Sequence, residues 1–228
     1  MRGVIFDLFY FITGKIDMIT FVQSLFAVLV VILLCFPVHE CSHALMAHIL
    51  GDNTAAERGR LTLNPLAHID PMGTFCMCLC NIGWAKPTPV NINRCRKVSA
   101  RTADILVSVA GPVSNILMAL VVVIILKVLL ATVAASETLI YVIGALEYIA
   151  GINTYLAVFN LLPIPPFDGY SLIQGVLPRK AAIWVEEHER MLNLMVFLLL
   201  ITGALGIPLG FLSDKILDFL YLITGFIY

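Results

Sequence analysis

Residues 18–50 read MITFVQSLFAVLVVILLCFPVHECSHALMAHIL, and this one stretch settles both the fold class and the candidate chemistry. Its first part, residues 18–37, carries no charged side chain and is long enough to cross a bilayer, which takes about 20 apolar residues. The helical pattern runs on to residue 50, where Gly51-Asp52 stops it. At the polar end of this apolar rod stands His39-Glu40-Cys41-Ser42-His43, an H-E-x-x-H arrangement. Residues four apart share a helix face, so both imidazoles can hold one Zn2+ while Glu40 reaches a water bound there. Ionisable groups at the end of a membrane span are costly and seldom present without a role.

The remainder of the chain fits that reading. Of its 228 residues, 60% are apolar and 13% charged, against about 45–50% and about 25% in a soluble domain. A mean hydropathy of +0.97 excludes an ordinary cytosolic enzyme and a disordered chain, and makes the lipid bilayer the solvent. The net charge of −1 offers nothing to attract nucleic acid. Six cysteines (Cys35, Cys41, Cys76, Cys78, Cys80, Cys95) contain no C-x-x-C pair, so a structural role is expected; Cys76, Cys78 and Cys80 alternate as on one face of a strand.

Further spans are expected over residues 105–135, 139–162 and 192–212, the last interrupted by Gly206-Ile207-Pro208. Residues 212–228 read as half a span or an interfacial helix. Residues 3–13 are too short to span, and Asp7 and the missing cleavage site argue against a signal peptide. Residues 72–84 are also short and read as a re-entrant hairpin or strand pair packed against protein. The fold expected is an all-α polytopic membrane protein of about four to six membrane segments. Ten of the fourteen Lys and Arg residues fall in the 52–101 and 162–192 connections, which should therefore face the cytoplasm.

A catalytic zinc site needs a third protein ligand. His48, nine positions past His39, is half a turn out of phase. His68 and Asp70 lie in the turn-rich run from Asn64 to Pro71, where His68 is either a site neighbour or a turn residue. Asp168 follows Pro163-Ile164-Pro165-Pro166 and precedes Gly169, where broken helix can present a carboxylate inside a polar cavity. It is the expected third ligand.

His39-Glu40-x-x-His43 on a membrane helix, followed by Asn160-Leu-Leu-Pro163-Ile-Pro165-Pro166-Phe167-Asp168-Gly169, resembles the site-2 protease family of intramembrane zinc metalloproteases. Phe167 is a mild departure, since leucine often precedes that aspartate. Gly111-Pro112-Val113-Ser114-Asn115 is similar to a third family signature. Asn64-Pro65-Leu66-x-His68-Ile69-Asp70-Pro71-x-Gly73-Thr74 and Gly83-Trp84-Ala85-Lys86-Pro87 look like its compact prokaryotic branch. The resemblance covers residues 35–178. It implies one Zn2+ per chain on His39, His43 and Asp168, with Glu40 catalytic. It also implies a three-helix core, about residues 18–178, within a single domain 1–228. Peripheral helices would occupy 1–15 and 191–228, with no room for PDZ or cystathionine-β-synthase domains.

The expected reaction is hydrolysis of a peptide bond within or near a transmembrane helix of a membrane-protein substrate such as a single-span protein. The setting is a prokaryotic cell membrane, with the site toward the cytoplasmic face. Glu40 would serve as general base. Asn115 and Asn160 could each donate an amide to the oxyanion, or could instead be satisfied helix–helix contacts. A strand in a 61–84 hairpin could hold the unwound substrate by β-addition. Two rivals remain. A divalent-metal transporter would use the two histidines and Asp168, but should show inverted repeats and has no need of Glu40. An inactive scaffold that binds membrane helices sits poorly with intact Glu40, His39 and His43.

Overall fold

The computed structural model describes residues 3–174 and 177–226, and every regular element among them is helical. In chain order these are α1 (Val4–Ile12), α2 (Met18–Val30), α3 (Phe36–Leu50), α4 (Thr54–Glu57), α5 (Pro71–Cys80), α6 (Ala100–Thr132), α7 (Glu137–Asn160), α8 (Gly169–Gln174), α9 (Arg179–Glu187), α10 (Glu189–Ile201) and α11 (Gly206–Ile223). Met18–Leu50, Ala100–Thr132 and Glu137–Asn160 are each long and apolar enough to cross a membrane, and α10 with α11 passes the test only as a pair bent by 81°, a broken span or a re-entrant loop. The chain is an all-α polytopic membrane protein.

α2 and α3 form one continuous rod through a π-turn at Val31–Cys35. The turn lies just ahead of Pro37, which has no N–H to donate and whose ring crowds the carbonyl four residues back. A π-turn takes up that misfit without breaking the rod. Gly51 ends α3 in the left-handed conformation, φ 111°.

Two expectations are corrected. Residues 72–84 contain no strand: Pro71–Cys80 is helix α5, so Cys76, Cys78 and Cys80 wind round a helix rather than lining a strand face. Local chemistry at its ends decides this. Asp70 caps the start by accepting the Gly73 N–H at 2.7 Å, Pro71 takes the first turn, and Asn81 closes the end at φ 56°. The 61–84 hairpin proposed for β-addition is therefore absent. The second correction concerns the C-terminal segment. The break falls after Ile201 rather than at Gly206-Ile207-Pro208, and Gly206–Ile223 is a single helix crossing the expected boundary at 212. Pro208 lies in the first turn of α11, where its missing N–H has no helical partner to lose.

The chain divides into two compact units, Met1–Gly111 with Leu200–Gly203 and Pro112–Leu199 with Ala204–Tyr228. In the first, α1 packs on α2 and α5, and the Ser24 hydroxyl donates to the buried Asp7 carboxylate. Ala47, Leu50, Cys95, Ala103 and Val107 form its core. In the second, Ala119, Val122, Val123, Ala150 and Leu220 do so, the small residues allowing close helix approach. There α7 and α11 are joined by a 2.8 Å hydrogen bond between the Thr154 and Ser213 hydroxyls. Lys127 Nζ donates to the Tyr221 carbonyl at 3.0 Å, a cation at the C-terminal end of α11. Val113, Leu117, Val121, Ile125 and Val128 make an exposed apolar stripe along α6, the face a lipid-embedded helix turns outward.

Candidate metal centre and its supports

α3 places His39 and His43 one turn apart, each 8% exposed. Their rings meet edge to face with centroids 4.6 Å apart, and the two Nε2 atoms stand 3.0 Å from each other. His43 Nδ1 lies 2.7 Å from the Val107 carbonyl on α6. A carbonyl only accepts, so Nδ1 carries the proton and Nε2 offers its lone pair. A ligating histidine is usually oriented in this way from its far nitrogen.

Gly111 tests the fit to a metal. A Cβ at that position would lie 2.4 Å from His43 Nε2 and 2.6 Å from His39 Cε1. The α6 backbone therefore approaches the ligating edge of the rings more closely than any side chain would allow. Two converging, buried imidazole nitrogens over the bare Gly111 backbone are a donor set that suits Zn2+.

Glu40 is half-buried between the two histidines in sequence. Its Oε2 accepts the Thr88 N–H at 2.7 Å, and the Thr88 hydroxyl donates to the Glu40 carbonyl at 2.9 Å. Thr88 belongs to a non-helical segment, residues 82–91, that follows α5. A Cβ on Gly73 would fall 2.1 Å from the Trp84 carbonyl oxygen, and one on Gly83 would fall 2.4 Å from that of Gly73; both glycines are required where the segment crosses α5. Further along, Lys86 donates its N–H to the His68 carbonyl at 2.8 Å, and its own carbonyl receives the buried Arg60 guanidinium.

The segment ends at Asn91, whose N–H donates to Asp52 Oδ2 at 2.6 Å. Burial alone pushes the Asp52 carboxyl up, but the hydroxyl and N–H of Thr54, the Asn91 N–H and Arg94 together hold it below the usual carboxylate range. Arg94 in turn grips Glu57 through two bonds of 2.9 and 3.0 Å. That contact lowers the Glu57 carboxyl and raises Arg94.

His48 is exposed and bonded to Asn53 at 2.6 Å, as its phase on the helix requires. His68 is 1% exposed; its Nε2 lies 2.8 Å from the Thr62 carbonyl and its own carbonyl accepts the Lys86 N–H. In the second unit, Asp168 is half-buried at the start of α8 and its carbonyl accepts the Ser171 N–H at 3.2 Å. A Cβ on Gly169 would lie 2.2 Å from the Leu161 carbonyl oxygen, which explains the Asp-Gly pair. Phe167, the departure from the family pattern, packs edge-on against Phe159 at 4.6 Å. Asn160 donates to the Leu156 carbonyl of its own helix at 3.0 Å. Asn115 is 1% exposed, and neither its amide nitrogen nor its oxygen has a partner among the described residues. Thr88 carries no sequence signal of a site beyond standing between two prolines.

Known proteins bear on this geometry. A family model described as Peptidase family M50 matches residues 131–203. YwhC of Bacillus subtilis, a candidate zinc metalloprotease by name, is 38% identical over 180 residues, 78% of this chain and 80% of that protein. Rip2 of Mycolicibacterium smegmatis, named in the same way, is 30% identical over 171 residues, 74% of this chain; the chain spans 64% of its length. No solved structure matches the chain. Paired histidines in a glycine-floored cradle on an apolar rod, together with identity running through four-fifths of YwhC, lead to one conclusion: the chain belongs to peptidase family M50, the site-2 protease family of zinc metalloproteases.

Proposed function

We propose that the chain is an intramembrane endopeptidase that cuts a peptide bond within or near a transmembrane helix of a membrane-protein substrate. It would act as one membrane-embedded protease domain with its site toward the cytoplasmic face of a prokaryotic cell membrane. The observation that carries this reading is the pair of Nε2 atoms 3.0 Å apart on an apolar span, beside a carboxylate held by a backbone N–H. The orientation rests on the basic residues of the 52–101 and 162–192 connections.

His39, His43 and Asp168 would hold one Zn2+ per chain. What supports Asp168 is the need for a third protein ligand and its place in the Asn160-to-Gly169 motif. Zinc, when bound, supplies a Lewis acid that polarises a carbonyl and acidifies water toward neutral pH. Glu40 takes the proton from the attacking water and passes it to the departing amine nitrogen. For the oxyanion, Asn115 is favoured over Asn160. The Asn160 amide already serves the Leu156 carbonyl, whereas a buried amide without a partner among the described residues, as at Asn115, calls for an explanation.

The test is Glu40→Gln co-expressed with a single-span reporter. Loss of cleavage with zinc retained supports the reading. Undiminished cleavage sinks it, and loss of zinc flux without any cleavage by the unaltered chain would favour a transporter.

A further inference from the structure

In Pro87-Thr88-Pro89 both prolines lack an N–H, so the triplet has a single backbone donor, that of Thr88. Pro89 also confines Thr88 to the extended region of backbone space. The lone donor is spent on Glu40 Oε2 at 2.7 Å, and the hydroxyl of the same residue is spent on the Glu40 carbonyl at 2.9 Å. One residue thus grips both the side chain and the backbone of the glutamate.

The register of this grip is fixed from both sides. Two residues before Thr88, Lys86 donates its N–H to the His68 carbonyl at 2.8 Å. The Lys86 carbonyl is held by Arg60, which is 6% exposed. Three residues past Thr88, the Asn91 N–H is held by Asp52, which is 0% exposed. Arg60 and Asp52 thus anchor the segment on either side of Thr88 by hydrogen bonds to its backbone.

We propose that Thr88 is a positioning residue for the protease reaction. Its N–H holds Oε2 and its hydroxyl sets the height of the segment on α3, so that the Glu40 carboxylate is fixed with Oε1 left to take the proton. A glutamate has three rotatable side-chain bonds, and a base displaced by about 1 Å can lose roughly 100-fold in rate. The proposal rests on the reading of Glu40 as general base.

The test uses the full chain, purified with zinc and reconstituted into phospholipid vesicles. The substrate is a reporter with one apolar transmembrane helix, loosened by a central glycine, between two fluorescent proteins. Thr88→Ser keeps both bonds and should stay within about twofold of the unaltered kcat. Thr88→Val keeps shape and loses the hydroxyl, and its kcat should fall about tenfold at unchanged KM, with zinc content and melting temperature unchanged. If Thr88→Val fails to fold, Thr88→Ala is read in its place. An unchanged kcat in these variants overturns the proposal. So does a fall that comes with lost zinc or a raised KM, and so does a serine variant as poor as valine. Glu40→Gln run beside them separates the two claims, because full activity there would remove the general base itself.

Discussion

Gly111 and His43 stand so close that a single methyl group at residue 111 would lie 2.4 Å from the imidazole Nε2. With His39 Cε1 at 2.6 Å from the same point, the floor of the cradle is backbone. Gly111→Ala should therefore cost at least about tenfold in zinc affinity while the helices persist. Titration with a zinc chelator, alongside far-ultraviolet circular dichroism, checks it. Unaltered affinity would mean that the rings do not use those edges.

Asn115 and Asn160 differ in what their amides already do. Asn115→Ala should lower kcat by about 100- to 1,000-fold at little change in KM, the usual loss of an oxyanion donor. Asn160→Ala removes a bond to the Leu156 carbonyl of its own helix and should mainly affect stability. Steady-state kinetics of both variants decide the matter, and the reverse order would reassign the oxyanion to Asn160.

Asp52 makes the fold pH-dependent in a defined direction. Its carboxyl is held below the ordinary range, so its contribution is complete above the unfolded value of about 3.9 and is lost as pH falls through the lower folded value. Thermal melting in detergent from pH 7 down to 3 should show a drop confined to the acid end. Asp52→Asn should flatten that limb and cost about 1.5–3 kcal/mol at neutral pH, as for a hydrogen bond to a charged group.

Much of this was visible in the sequence, and what was not has physical reasons. His39 and His43 could be paired on sight because helical period alone puts them on one face. Three of the spans were placed within a few residues, since a bilayer demands a length that composition reveals. Residues 72–84 are ambiguous in sequence because a short apolar run fits strand or helix equally well. The Asp70 cap and Pro71, outside the apolar run, settled it as helix. The break after Ile201 is hidden in sequence because Gly206 and Pro208 look like breakers, yet proline is at home in a first turn. Thr88 was invisible because it lies 48 residues from Glu40, and no local pattern encodes a contact at that separation.

The central claim is that Glu40 is the base of a zinc-dependent cut in a membrane helix. Cleavage of the single-span reporter by purified Glu40→Gln, with zinc content measured on the same sample, tests it most directly. The rate should fall by about 100- to 10,000-fold with zinc retained. Cleavage at the unaltered rate in a zinc-loaded sample would contradict it.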